Sequence, residues 1–152
     1  MASEETSSQW TVFEKAENLA DSGKILEAEQ EYTKFIEQVT SGYAVKLNRT
    51  GLNEDVAKQL ALAHNNRGQL RYLQVEFVRA VQDYTEAIKL QKDLTVSYYN
   101  RGQIHYRLSR FDEAIKDFKE TLHQDPKFEE AKIALNAAIV DKDTKERRQH
   151  QR

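Results

Sequence analysis

The tetrapeptide Asn-Arg-Gly-Gln occurs at Asn66–Gln69 and again at Asn100–Gln103, and the two copies start 34 residues apart. Other residues match in the same frame: Tyr72 with Tyr106, Phe77 with Phe111, Ala80 with Ala114, Tyr84 with Phe118, and Ile88 with Leu122. A fixed period of this length means a stacked repeat, in which each unit is one supersecondary element that buries its apolar face only against its neighbours.

The unit is helical. Phe77, Ala80, Val81, Tyr84, Ala87 and Ile88 recur three and four apart, as do Ile25, Ala28, Tyr32, Phe35, Ile36 and Val39, the spacing of one face of an α-helix. An earlier stripe of Val12, Ala16, Leu19 and Ala20 predicts a first helix capped by Ser8 and ended by Gly23. Thr40-Ser41-Gly42 is expected to stop the second helix, with a loop from Tyr43 to Leu52. Asn53 before Glu54 and Asp55 opens a third, running to about Leu73. A further pair is expected over Thr95 to Leu108 and Phe111 to Gln124, closed by Asp125-Pro126, since proline cannot continue a helix. A last helix, Lys127 to Glu146, carries Phe128, Ala131, Leu135, Ala138 and Ile139 on one face. The expected architecture is all-α: three helix-turn-helix hairpins and a C-terminal capping helix.

Tyr98, then Arg101-Gly102, Ala114, Phe118 and Pro126 stand at the offsets of one well-known helical repeat, and His64, Arg67-Gly68, Ala80 and Tyr84 follow the same frame with Lys92 in place of the proline. The pattern resembles the tetratricopeptide repeat. Arginine replaces leucine before both glycines, and Arg71 and His105 stand where tyrosine is usual. A weaker first unit fits at Val12, Ala16, Leu19, Ala28 and Tyr32, but Val12 to His64 spans 18 residues more than the period. The expected organisation is a disordered tail over 1–8 and a repeat domain over 9–141. Its units lie near 9–42, 61–94 and 95–128, with an insertion over 43–60 and a cap from about 127, and a charged tail covers 142–152. The small residues Gly68, Gly102, Ala80 and Ala114 are expected to let paired helices approach closely. Beyond the repeat, Ala63–Gln69, Tyr98–Gly102, Tyr106–Leu108, Phe111–Ala114 and the charged terminal helix give the whole chain a resemblance to one small vertebrate family of such proteins, a family with no well-defined activity.

The resemblance implies a concave face lined by the first helix of each pair. Its slots fall on Phe13 and Glu17; on Asn65, Asn66, Gln69, Tyr72 and Leu73; and on Tyr99, Asn100, Gln103, Tyr106 and Arg107. The terminal helix adds Ile133, Ala137 and Val140. Amide side chains both donate and accept, so they suit the backbone of an extended peptide, and tyrosines add contact area at small entropic cost. The alternative is that Asn66 and Asn100 bridge neighbouring helices. The family's clamp for chaperone tails uses cations that the slots Phe13, Glu17, Asn66, Val96 and Asn100 do not supply, so recognition of that kind is not expected.

Composition narrows the classes further. Lysines and arginines number 23 against 25 carboxylates, so no one-sign field invites nucleic acid or an anionic membrane. The basic residues of the last helix are read as favourable charge at a helix C-terminus, with a nuclear signal or weak RNA contact as the alternative. There is no cysteine, and His64, His105, His123 and His150 show no ligand spacing, so no metal or cofactor is expected. Nothing pairs a nucleophile with a base, and no glycine-rich phosphate loop is present. No apolar run reaches membrane-span length, the polar start is no signal peptide, and Asn48-Arg49-Thr50 is therefore chemically idle as a glycosylation acceptor. The reading is a non-enzymatic cytoplasmic (or nuclear) adaptor that binds another protein's peptide or helix, with a structural subunit of a larger complex as the alternative. A monomer is expected, a dimer through the C-terminal helix being the other possibility.

Overall fold

A computed structural model describes residues 2–46 and 53–152, with side chains over 10–42 and 53–152. The described residues form seven α-helices and no strand: α1 Ala2–Asp21, α2 Ile25–Lys46, α3 Glu54–Leu73, α4 Phe77–Leu90, α5 Thr95–Arg107, α6 Phe111–Gln124 and α7 Glu129–His150. Contacts divide them into two units, α1–α4 and α5–α7. In the first, α1 pairs with α2 and α3 with α4, and α3 also packs on α2; in the second, α6 lies between α5 and α7.

The three hairpins turn in one way. After α1 the amide of Lys24 donates to Leu19 O at 2.9 Å and that of Gly23 to Ala20 O at 3.0 Å. This double bond pattern requires a left-handed residue, supplied by Gly23 at φ +76. The same pair recurs from Glu76 to Arg71 O and Val75 to Tyr72 O, both 2.9 Å, and from Arg110 to His105 O and Ser109 to Tyr106 O at 2.8 and 3.0 Å. There the left-handed position is held by Val75 at φ 60 and Ser109 at φ 57. A β-branched side chain in that region is strained, and Val75 is 69% exposed, so no packing offsets the strain. Val75→Gly is expected to raise stability by about 1 kcal/mol, read as a shift of the urea midpoint at unchanged slope.

The core of the first unit is built from Phe13, Ala16, Ala28, Tyr32, Phe35 and Val39, joined by Leu60, Ala63 and Leu70 from α3. Phe13 meets Tyr32 and Phe35 edge to face, with centroids 5.6 and 5.3 Å apart. The second unit closes on Ala114, Phe118 and Ala138, with Tyr99, Ile115 and Leu135 packed around them. The two repeat glycines are contact points. A Cβ on Gly68 would stand 2.9 Å from the Tyr84 ring, and one on Gly102 would stand 2.7 Å from that of Phe118. Both helix pairs are drawn together to a separation that a methyl group would prevent.

Several boundaries differ from expectation. The segment over 1–8 is helical from Ala2 rather than a disordered tail; it contains no glycine or proline, and a helix already nucleated extends at one hydrogen bond per residue. Thr40-Ser41-Gly42 does not stop α2, which continues to Lys46. Ser41 Oγ donates to the carbonyl of Glu37 within the helix, and glycine costs a helix only about 1 kcal/mol where proline would break it. Of the expected 43–60 insertion, 43–46 and 54–60 are helical, and residues 47–52, Asn48-Arg49-Thr50 among them, lie outside the described residues. The charged stretch 142–152 is helical to His150, held by pairs such as Arg147–Asp143 at 3.0 Å one turn apart. Asn53 caps α3 as expected, its side chain accepting from Asp55 N at 3.0 Å.

Candidate partner-binding faces

The arginine of the repeated tetrapeptide turns inward. Arg67 holds Asp83 of α4 with the Nε–Nη2 edge of its guanidinium, Nη2 to Oδ1 at 2.7 Å and Nε to Oδ2 at 3.0 Å. Arg101 holds Asp117 of α6 in the same way, Nη2 to Oδ1 at 2.7 Å and Nε to Oδ2 at 2.8 Å. A planar fork matches a carboxylate bidentately, which leucine and lysine cannot do. Asp83 also accepts from Arg71 Nη1 at 2.7 Å and lies 3.1 Å from His64 Nδ1. Burial by itself would raise the Asp83 carboxyl, but hydrogen bonds from His64 and Arg67 and the charges of Arg67 and Arg71 outweigh it and hold it below 3.8. Arg71 reaches α2 as well, Nε to Glu29 Oε1 at 3.0 Å, and Gln74 Nε2 donates to Glu29 Oε2 at 2.7 Å.

These two aspartates were not picked out from the sequence, although the signal was there. Asp83 and Asp117 are themselves 34 residues apart, and each follows its arginine by 16. The residue equivalent to Arg71 in the next copy is His105, which lies 3.9 Å from Asp117, with its Nδ1 buried and without a hydrogen-bond partner. Burial depresses the His105 imidazole below its ordinary 6.5, partly opposed by the charge of Asp117. The neutral ring therefore contributes stability above pH 6.5 that is lost as pH falls through the lower folded value, because the unfolded chain takes up the proton first. His105→Gln is expected to shrink the drop in urea midpoint between pH 7 and pH 5.5.

The expected lining residues separate into two groups. Phe13 and Asn65 are buried, so neither lines an open face: Phe13 belongs to the aromatic core, and Asn65 Nδ2 donates to Asn66 Oδ1 at 3.4 Å. In the second unit, Tyr99 is half-buried with its ring 4.8 Å from that of Phe128, and Gln103 donates to its hydroxyl at 2.9 Å. Tyr106 is half-buried beside Phe111, its hydroxyl donating to Asp141 of α7. Both tyrosines are thus engaged by their own unit, Tyr99 by Gln103 and Phe128, and Tyr106 by Phe111 and by Asp141 of α7. Asn100 is half-buried, and Arg107 is exposed. On α7 itself Ile133 and Val140 stand open, 69% and 61% exposed, with Ala137 half-buried between them.

The first unit keeps an open face between α1 and α3. Glu17 and Gln69 are exposed, Asn66 and Tyr72 half-buried, and Leu73 exposed one turn beyond Gln69. A cleft of about 400 Å³ opens here, walled by Glu17, Ala20 and Asp21 of α1 and Asn66, Gln69 and Leu70 of α3. Tyr32 of α2 forms its floor, 2% exposed, and its hydroxyl accepts from Asn66 Nδ2 at 3.2 Å. Asn66 therefore bridges α3 to α2 and also stands in the cleft wall. Gln69 is oriented from behind, its Oε1 accepting from the Tyr84 hydroxyl at 3.3 Å. A row of oriented amides and a hydroxyl at an open cleft can exchange hydrogen bonds with a backbone laid along it.

Residues 96–128 match the family model for the tetratricopeptide repeat. Among solved structures, the chain is similar to the first such domain of human RPAP3, at TM-score 0.72 and 24% identity over 91% of this chain and 95% of that one. The TPR domain of Arabidopsis OM64 gives 0.73 and 23%, covering 90% and 98%. The first TPR of Spaghetti (RPAP3), bound to the HSP90 peptide SRMEEVD, gives 0.71 and 23%, covering 88% and 94%. Residues 96–128 are accordingly a tetratricopeptide repeat, and the chain has the all-helical fold of solved tetratricopeptide repeat domains.

Proposed function

We propose that this chain is a non-enzymatic protein-interaction module that holds a peptide or helix of a partner protein against the α1–α3 face of its N-terminal unit. The observation that carries the reading is the open cleft where Tyr32, Asn66 and Gln69 present hydrogen-bonding groups already oriented by their neighbours. Pre-oriented groups lose little freedom when a ligand docks, so more of the contact energy appears as affinity. Binding of the peptide SRMEEVD belongs to the Spaghetti domain. In this chain the corresponding slots hold a buried Phe13 and the carboxylate of Glu17, so an acidic tail is not the proposed occupant. The finer resemblance, of the whole chain to tetratricopeptide repeat protein 32, rests on the sequence segments quoted above and brings no defined activity with it. A cytoplasmic or nuclear setting belongs to the same proposal and rests on the balanced charge and cysteine-free composition.

A second reading, a structural subunit of a larger complex or a dimer through α7, draws on Ile133 and Val140, whose exposure leaves an apolar stripe uncovered on that helix. Affinity capture with Gln69→Arg, Leu73→Asp separates the two. Both side chains are exposed, but Gln69 accepts from the buried Tyr84 hydroxyl, so the variant is expected to lose about 1–2 kcal/mol of stability and remain folded. The adaptor reading expects partners captured by the wild type to be missing from the variant. Unchanged capture would overturn it. An Ile133→Asp, Val140→Asp variant that alone loses its partners, or its self-association in sedimentation, would favour the subunit.

A further inference from the structure

The cleft has one sign of charge. Its walls carry two carboxylates, Glu17 and Asp21, and no lysine, arginine or histidine. Glu17 and Asp21 stand one helical turn apart, on the same face of α1. Neither has an ion-pair partner among the described residues, whereas Glu29, Glu31 and Asp83 in the same unit are each paired with a lysine or arginine. Asp21 is moreover the last residue of α1, and no basic residue accompanies it in that turn. A carboxylate at the negative end of the helix dipole opposes stability there, so folding gives no account of it. The field of the two carboxylates reaches the cleft floor: burial is the main cause of a raised Tyr32 hydroxyl, and the charges of Glu17 and Asp21 add to it.

We infer that the cleft is a receptor for a basic side chain, a lysine or arginine of the partner peptide, which inserts between Glu17 and Asp21 while Asn66 and Gln69 hold the adjoining backbone. The inference rests on the partner-binding reading of the same face and names the chemistry of its occupant. A metal ion does not fit the lining as well, since it offers two carboxylates and no group of three metal-ligating side chains occurs among the described residues. A cation brought by a peptide is neutralised by both carboxylates and meets the hydroxyl of Tyr32 at the floor, with its aliphatic stem against Ala20 and Leu70. Like-charge repulsion at the same point excludes an acidic peptide, giving selectivity as well as affinity.

The test is selection of a random heptapeptide phage library on the wild-type chain and on the Glu17→Gln, Asp21→Asn variant. Both side chains are exposed, and a melting temperature no lower than that of the wild type would show that the fold is kept. The expected result is a wild-type consensus with lysine or arginine at one position, which disappears from peptides selected on the variant. Fluorescence anisotropy with the consensus peptide should then show a loss of about three- to tenfold on the variant, the effect of two partly exposed ion pairs. Glutamine in place of the peptide's basic residue should cause the same loss on the wild-type chain, a measurement that needs no variant to fold. A consensus without a basic position, or one shared by both proteins, would overturn the inference and leave the peptide-binding face standing. No enriched consensus on either protein would count against both.

Discussion

Asp83→Ala is expected to cost about 3–5 kcal/mol, the range for removing one partner of a buried charge pair. The side chain of Asp83 is 3% exposed, and its removal leaves Arg67 and Arg71, 12% and 9% exposed, facing a site that water does not reach freely. Desolvated guanidinium groups then lack the acceptor they were buried against. The loss should appear in urea unfolding followed by the fluorescence of Trp10, the chain's one tryptophan, which lies in the same unit. It should also depend on pH in a definite direction. Because the folded carboxyl titrates below 3.8, its contribution is complete above that value and fades as pH falls through the folded one. Wild type and variant should therefore converge in strong acid. In the second unit the pair is simpler, and Arg101→Leu with Asp117→Leu, which restores the family's leucine before the glycine, should be far less harmful than Asp117→Ala alone. Replacing a whole buried ion pair by apolar groups is often neutral or favourable.

Phe118→Ala should cost about 3–5 kcal/mol as well, for a different reason. Phe118 is 1% exposed and is the one large side chain fully inside a core whose other buried members are Ala114 and Ala138. Tyr99, Ile115 and Leu135 around it are fixed on their own helices, so the space is refilled only in part. Gly102→Ala in the wild type should cost about 1–3 kcal/mol, because its new Cβ falls 2.7 Å from a rigid ring atom of Phe118. In the Phe118→Ala background that clash no longer exists, only the 3.2 Å approach to Asp117 Cβ remains, and the same substitution should cost much less. Strong non-additivity in this cycle, measured by circular dichroism in urea, would identify the glycine as a device for helix contact. Simple additivity would instead assign it a backbone role.

The 34-residue period and the three- and four-residue apolar spacings made the helices legible, because both depend on local geometry that every copy repeats. Gly68 and Gly102 were legible for the same reason: a small residue at a fixed offset from an aromatic announces a close approach, and the ring contacts follow. Boundaries were less so. Gly42 and the polar segment before Trp10 carry helix that their local propensity would have ended, since one glycine costs less than extending an existing helix returns. The candidate face was legible only in outline. Position in the repeat indicates which residues come from the first helix of a pair, but not which of them a neighbouring helix will cover. Phe13 was drawn into the aromatic cluster by Tyr32 and Phe35, and Tyr106 was taken by Asp141, 35 residues further along the chain.

The repeated Asn-Arg-Gly-Gln shows where the division falls. Its period, its helical setting and its packing glycine follow from the sequence by itself, because they need only the repeat frame and the size of a side chain. The direction of its arginine does not. Arg67 and Arg101 face inward because Asp83 and Asp117 wait on the paired helix, and a buried charge is tolerable only where its counter-charge is already in place. The open, one-signed cleft of the first unit is likewise a tertiary outcome. Glu17 and Asp21 become a site only when α3 sets Asn66 and Gln69 opposite them with no cation between.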